Sequence, residues 1–529
     1  MPGAKCPMSA QPGRNGGSQM PRRPAFARIA LLAAVVASAP LVTATAAEAS
    51  VAAVIAPYSA GSLSDDGSAD LDGDRLGDIV QKTTDGSDTT FGVRRSSDGH
   101  LLWQHTTQLQ IAHVRVLRVG QPARPGLLVE TFTSVLKPGT NPSVYDETVQ
   151  LLAYDGRTGQ QLWQWQRTGQ HQVDYASPDV KTNLPEVVGV LPGAVGKNSS
   201  VLVSITTDSV SRALVVSGSD GSAKTIGTPP PRTQIARVGL VGDLDGDGHG
   251  DVGLTYEDRN IETRSSTTGA LIWARLGVMT ASYQLTVQRL AVTTGGTDAV
   301  LVHNDKDTVL NGNNGHLIAT LSRGFTQPMG DADGDGMADT LTHGTNYSST
   351  AISESFEAFS SRTGKLLWKR SVSIPRSDFS GYTVRVTEAG DVQPDGARDF
   401  YVEMYKFQGS NHTVTDSRFS VVSGHDGSVT NGQPLGTPLR ASIDAKGDDF
   451  ALVTANQSLK ATVYDGQTRT VVWTYQRSAP SPINLETYLA AQFTADQRAD
   501  LLLVTDTGGT TKLSLVDGAT HTVRWAVVG

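Results

Sequence analysis

Three nine-residue stretches of this 529-residue chain share the pattern D-x-D-G-D-x-x-x-D. They are Asp70-Leu71-Asp72-Gly73-Asp74-Arg75-Leu76-Gly77-Asp78, Asp243-Leu244-Asp245-Gly246-Asp247-Gly248-His249-Gly250-Asp251 and Asp331-Ala332-Asp333-Gly334-Asp335-Gly336-Met337-Ala338-Asp339. Carboxylates at positions 1, 3 and 5 of a tight turn point inward, position 7 offers a backbone carbonyl, and the aspartate at position 9 can bind through both oxygens. That donor set suits calcium, which takes six to eight hard oxygen ligands. The expected ligands are Asp70, Asp72, Asp74, Leu76 and Asp78, then Asp243, Asp245, Asp247, His249 and Asp251, then Asp331, Asp333, Asp335, Met337 and Asp339. Two to four calcium ions per chain are expected. Glycine at position 4 lets the chain turn without a steric clash. Without a cation, four carboxylates so close would repel one another by several kcal/mol. An EF-hand needs a glutamate at the twelfth position, whereas Gln81, Leu254 and Thr342 stand there.

The first loop departs from the others at Arg75, where they have Gly248 and Gly336. Decayed versions occur at 391–399, 444–449 and 494–500; in the first of these Gln393 and Pro394 replace an aspartate and the glycine. An empty turn is expected there.

These loops alternate with a second signal, a turn followed by a strand ending in tryptophan. It reads Thr158-Gly159 to Trp163, Thr268-Gly269 to Trp273 and Thr363-Gly364 to Trp368, with looser copies ending at Trp103, Trp473 and Trp525. The glycine fits a turn that needs positive φ. Two strand-like runs lie between each loop and each tryptophan turn, and one more lies before the next loop. Four antiparallel strands per unit make a propeller blade. Unit starts near 70, 120, 192, 243, 294, 331, 391, 444 and 492 count nine repeats. The expectation is an all-β fold, a single closed β-propeller of seven to nine four-stranded blades over 70–529. A lone blade exposes both faces, so stacking around an axis is what stabilises the repeats. A tryptophan recurring in register is then a packing wedge between blades, and the calcium loops are expected to fix turns between blades. The last unit stops after its third strand, so residues 51–69, within an N-terminal segment 50–69, are expected to supply the strand that closes the ring.

Composition agrees: glycine is frequent at 55 residues and Val, Thr, Leu and Ser recur in short runs. The one long apolar run, 29–42, follows Arg22, Arg23 and Arg28 and precedes Ala44-Thr45-Ala46, which reads as a secretory signal peptide within 1–49. It is too short for a comfortable membrane span of roughly 20 residues. Cleavage would remove five cations and one anion, taking the net charge from -8 to -12. Such an acidic surface disfavours nucleic acid and anionic lipid. Cys6, the single cysteine, would also be lost. A secreted, extracellular product without stable membrane insertion is expected, as a monomer, held by a large core, by metals or by both.

The aspartate loops at 70, 243 and 331 resemble those of FG-GAP/VCBS repeat proteins, the propeller class that includes the integrin α-subunit head. The tryptophan turns at 158, 268 and 363 are similar to the tryptophan-docking motif of pyrroloquinoline-quinone propellers. The first resemblance implies the propeller fold and calcium; adhesion heads, glycan-binding modules and scaffolds all occur on it, so it does not name a role. The second raises a quinoprotein dehydrogenase. Alcohol-oxidising members of that family use a vicinal cysteine pair, which this chain lacks, and here the carboxylates sit in repeated loops rather than in one unrepeated site.

No H-E-x-x-H, G-x-S-x-G or G-x-x-x-x-G-K-[ST] pattern occurs. A polysaccharide lyase or hydrolase site could still be assembled from distant loops. The longest irregular stretches, 131–146, 168–188 and 372–381, offer Tyr145, His171, Tyr175, Arg376 and Asp378 as a surface for sugar hydroxyls. The leading expectation is a non-catalytic, calcium-binding module for an extracellular glycan or protein.

Overall fold

A computed structural model describes residues 52–55 and 70–528, apart from 86–87, 141–142, 174–179, 183, 194–195, 208–209, 228–234, 257–259, 277–286, 293–296, 304, 325, 349–350, 376–381, 409–412, 433–435, 440–445, 492 and 497. The expected signal segment 1–49, together with Tyr175, Arg376 and Asp378, lies outside them.

Every described element is a strand, and the strands form nine antiparallel sheets. Each sheet is built from strands consecutive in sequence. Blades 1 to 9 cover 52–107, 110–182, 184–226, 235–275, 287–320, 327–375, 382–432, 437–478 and 483–528. Eight have four strands, and blade 2 carries a fifth, Val180–Thr182, beside its fourth. The count of nine repeats is therefore met in full, including the three units that lack the aspartate signature.

Burial grades across each sheet. Second strands are covered on both faces, as at Val252–Tyr256 and Ala299–Val302, where every residue is buried. Fourth strands alternate, as at Val471–Ser478. First strands of successive blades lie against one another in several pairs, including 184–191 with 235–240 and 235–240 with 287–290. Only the strands nearest a common axis can do this, so the first strand of each blade is innermost.

The final blade is complete in itself, with four strands from Ile483–Ala491 to Val523–Val528. Ala52–Ile55 instead heads the first sheet, pairing with Ile79–Asp85, and packs beside Ile483–Ala491 of blade 9. The seam is sealed by a cluster of Ile79, Phe493, Leu502, Val504, Leu513 and Leu515.

Two of the stretches read as irregular are largely strand. Gly126 to Leu136 pairs residue by residue with 145–155, and Gln161–Val173 runs alongside. Ser134 to Leu136 at the tip are exposed and most residues over 143–150 are polar, so the stretch lacks the apolar alternation that marks a strand in sequence.

Candidate metal centres and the docking turns

The expectation that the aspartate loops sit between blades needs correction. Each joins the first and second strands of one blade: 243–251 links Ile235–Leu240 to Val252–Tyr256, which pair directly. The tryptophan turns join third to fourth strands. In an antiparallel sheet both connections emerge at the same end, so loops and turns share one face of the ring.

The second residue of a loop nevertheless reaches the next blade. Leu71 packs with Leu127 and Tyr154 of blade 2, Leu244 with Val300 and Val302 of blade 5, and Phe493 with Ile79 of blade 1.

Within the loops, positions 1, 3 and 9 converge. In each of Asp70–Asp72–Asp78, Asp243–Asp245–Asp251 and Asp331–Asp333–Asp339, one carboxylate oxygen per residue lies within 4.8 Å of the others. The fifth-position aspartates, Asp74, Asp247 and Asp335, stand outside these triplets. Each caps its own turn, accepting from the N–H of Leu76 at 2.8 Å, His249 at 2.8 Å and Met337 at 3.0 Å. Leu76 and His249 are half-buried and Met337 is buried; His249 bridges to Gly193 and Met337 to Val292 in the preceding blades.

The first-position aspartates cap the loop as well. Asp243 accepts from Gly246 N at 2.7 Å and Gly248 N at 2.9 Å. The equivalent of Gly248 in the first loop is Arg75, held at φ 72°, a left-handed conformation that costs a non-glycine residue roughly 1–2 kcal/mol.

The ninth aspartate has a second task. One oxygen of Asp251 accepts from Leu244 N at 2.7 Å, and the other from Ser266 N, in the tryptophan turn, at 3.2 Å. Asp339 repeats this with Ala332 and Ser361, Asp399 with Gln393 and Gly424, and Asp500 with Phe493 and Gly518. The tie persists in loops that have lost some of the other aspartates, so it belongs to the fold independently of a complete metal site. Burial pushes Asp78, Asp251, Asp339 and Asp399 up to about 7 and Asp500 to about 6, against the backbone hydrogen bonds that pull them down. A cation beside them would reverse that shift.

The donors are hard oxygens throughout, and in the first loop Asp78 Oδ1 is buried without a hydrogen-bond partner. Both features fit a divalent cation such as calcium. A competing cation stands at the first loop, where Arg95 Nε lies 2.8 Å from Asp72 Oδ2. In the third, Arg362 Nε is 3.1 Å from Asp335 Oδ2. A fourth triplet, Asp496–Asp500–Asp517, escaped the sequence reading because Asp517 belongs to a tryptophan turn. Arg524 already pairs with Asp517 at 3.2 Å.

The turns work as the sequence implies. Nine left-handed residues recur, one per blade: Gly99, Gly159, Gly221, Gly269, Gly315, Gly364, Gly427, Arg469 and His521. Over five of them lies an indole from the preceding blade, whose Nε1 donates to a carbonyl three residues earlier in the turn. Trp103 donates to Gly156, Trp163 to Gly218, Trp273 to Gly312, Trp368 to Gly424 and Trp525 to Ser96, at 2.6 to 3.0 Å. A Cβ on Gly315 would stand 2.5 Å from the Trp273 ring. Trp473 instead stacks on His521, with ring centroids 5.1 Å apart.

No protein-family model and no curated protein matches the chain. Among solved structures it is similar to BamB from Moraxella catarrhalis, at 14% identity over 74% of this chain and 91% of that one, with a TM-score of 0.31. It is also similar to a europium-containing methanol dehydrogenase, at 12% identity over 81% and 80% with a TM-score of 0.34. A third is the dihydro-heme d1 dehydrogenase NirN in complex with DHE, at 12% identity over 74% and 72% with a TM-score of 0.37. These likenesses concern the backbone and bring no site residue to this chain.

Proposed function

We propose that this chain is a secreted, calcium-binding propeller of the FG-GAP/VCBS-repeat kind, acting as a non-catalytic binding or adhesion module for an extracellular glycan or protein. The observation that carries the reading is the convergence of Asp243, Asp245 and Asp251, and of Asp331, Asp333 and Asp339, into oxygen clusters on one face of the ring. Calcium there would be held by these carboxylates, with Asp247 and Asp335 and the carbonyls of His249 and Met337 completing the set. It would neutralise the loops and hold them rigid, presenting a preorganised surface to a partner. Binding the native state alone, it would also stabilise the fold.

Calorimetric titration with calcium tests the metal, comparing the wild type with Asp245→Asn and Asp333→Asn. Each substitution is expected to lower the stoichiometry by one, and an unchanged stoichiometry contradicts the assignment. Retention on an array of extracellular glycans and matrix proteins, with and without chelator, tests the role. Calcium-dependent retention supports it; absence of retention in calcium contradicts it.

A further inference from the structure

The innermost strands differ in charge from the chain as a whole. Among the residues whose side chains are described, the nine carry five arginines, Arg115, Arg118, Arg237, Arg289 and Arg385, and no lysine, against two glutamates, Glu186 and Glu388, and no aspartate. In a chain of net charge -8, this places a positive strip around the axis. Part of it is internally matched: Arg289 pairs with Asp298 at 2.6 Å and Glu388 with Arg398 at 3.2 Å.

At the junction of blades 1 and 2 the matching fails. Lys82, on the second strand of blade 1, crosses the seam and donates from Nζ to the Ile111 carbonyl on the innermost strand of blade 2, at 2.8 Å. His113 and Arg115 follow on that strand, and His113 stands opposite Glu130 on the next. His113 is exposed and Arg115 half-buried. Arg115 Nε and Glu130 Oε2 are both buried without a hydrogen-bond partner. Partial loss of hydration first, then the charges of Arg115 and Lys82, lower the His113 pKa although the ring keeps an exposed edge. Glu130 is pushed up by burial and pulled down by Arg115. An unmade donor beside an unmade acceptor is costly, and such a pair is completed by a ligand bearing an anion and a hydroxyl together.

We infer that Lys82, His113, Arg115 and Glu130 form a subsite at the inner edge of blades 1 and 2 for an acidic sugar, with the sugar carboxylate on Arg115 and Lys82 and a ring hydroxyl donating to Glu130. The inference rests on the binding-module reading and narrows its partner to a uronic-acid glycan. Arginine suits this task because its planar fork matches a carboxylate through two parallel hydrogen bonds. The exposed His113 marks the approach from the axis.

The full-length protein, saturated with calcium, is titrated calorimetrically with trigalacturonate, with neutral galactotriose and with sodium sulfate. Trigalacturonate is expected to bind, galactotriose to bind at least tenfold more weakly, and sulfate to compete without matching the affinity of the sugar acid. Arg115→Gln is expected to weaken trigalacturonate at least tenfold, and Glu130→Gln less, both with an unchanged calcium stoichiometry. Lys82→Met, on a separate blade, gives the same direction where Arg115→Gln fails to fold. Equal binding of acidic and neutral sugars, sulfate equal to the sugar acid, or undiminished binding by folded Arg115→Gln and Lys82→Met would overturn the subsite. Retention of neutral glycans alone would overturn it while leaving the binding-module reading intact. Absence of binding to either sugar, with retention of another glycan or a matrix protein on the array, would overturn the subsite alone, and absence of all retention on the array would overturn both.

Discussion

Trp525 Nε1, in the last blade, donates to the carbonyl of Ser96 in the first at 2.6 Å. The bond is the counterpart of Trp103 to Gly156 between blades 1 and 2, although its partners are 429 residues apart. Ser96 Oγ adds a bond to the Phe493 carbonyl across the same seam. The ring is thus closed by the repeat's own docking contact, with Ala52–Ile55 completing the first sheet.

Replacing Trp525 with alanine should therefore open a seam rather than fray a terminus. Truncating a fully buried tryptophan costs about 3–5 kcal/mol; for the half-buried Trp525 alanine should cost about 2–4 kcal/mol, while Trp525→Phe, which removes the hydrogen bond and keeps most of the ring, should cost about 1 kcal/mol. Denaturant unfolding checks the order. Equal, small losses for both would show that the seam is held elsewhere.

Left-handed positions in the turns and loops predict opposite outcomes for two substitutions. Gly315→Ala should destabilise, because its Cβ would overlap the Trp273 ring and its φ is 67°. Arg75→Gly should stabilise by roughly 1 kcal/mol by relieving the strain at φ 72°. It also removes a positive charge from the first loop, so calcium affinity there should rise. Melting temperatures and calcium titration of the two variants measure both effects.

The ninth aspartate should matter with and without metal. Asp251→Asn turns one acceptor into a donor facing either Leu244 N or Ser266 N, at a cost of about 1–3 kcal/mol for the unsatisfied buried group. That loss should persist in chelator. Asp245→Asn, at an exposed position, should lower stability only when calcium is present. Chemical denaturation of the two variants in both conditions separates structural tie from ligand.

The raised aspartates predict a pH dependence whose sign depends on metal. In the metal-free protein, Asp78, Asp251, Asp339 and Asp399 titrate at about 7 when folded and Asp500 at about 6, against about 3.9 unfolded. Between those values the folded state binds more protons, so stability contributed by these groups rises as pH falls from about 7 towards 4. Glu357, held at about 2 by Arg323 and then Lys369, stays ionised across that window. With calcium bound the trend should reverse for the three complete loops, since protons displace the ion. Melting curves between pH 5 and 8 (about one unit either side of the folded values), with calcium and with chelator, should slope in opposite directions; parallel slopes would contradict the metal assignment.

The repeat was legible because its signals are local. Aspartates at fixed spacing, a glycine before most docking strands and tryptophans in register all lie within a few residues of one another, and the structure places six of the seven tryptophans over docking turns. Repeats without aspartates, such as those beginning near 120 and 294, were countable only through their neighbours. Less legible was anything set by the pairing of distant strands. The loop's place inside a blade depends on Ile235–Leu240 pairing with Val252–Tyr256. The long hairpins of blade 2 carry mostly polar residues over 143–150 and 164–173, so they read as loops. Asp251 reads as a calcium ligand because spacing shows the nine-residue loop and not the turn fifteen residues away that its second oxygen holds. The inner-edge group of Lys82, Arg115 and Glu130 has no sequence signature, since it draws on two blades.

The most direct test of the account is thermal unfolding of the purified protein with and without chelator, paired with elemental analysis for bound calcium. The account predicts two to four calcium ions per chain and a fall in melting temperature when they are removed. No bound metal and an unchanged melting temperature would contradict it, leaving the aspartate loops as hydrogen-bonded turns of a propeller held by its core and its tryptophan seams.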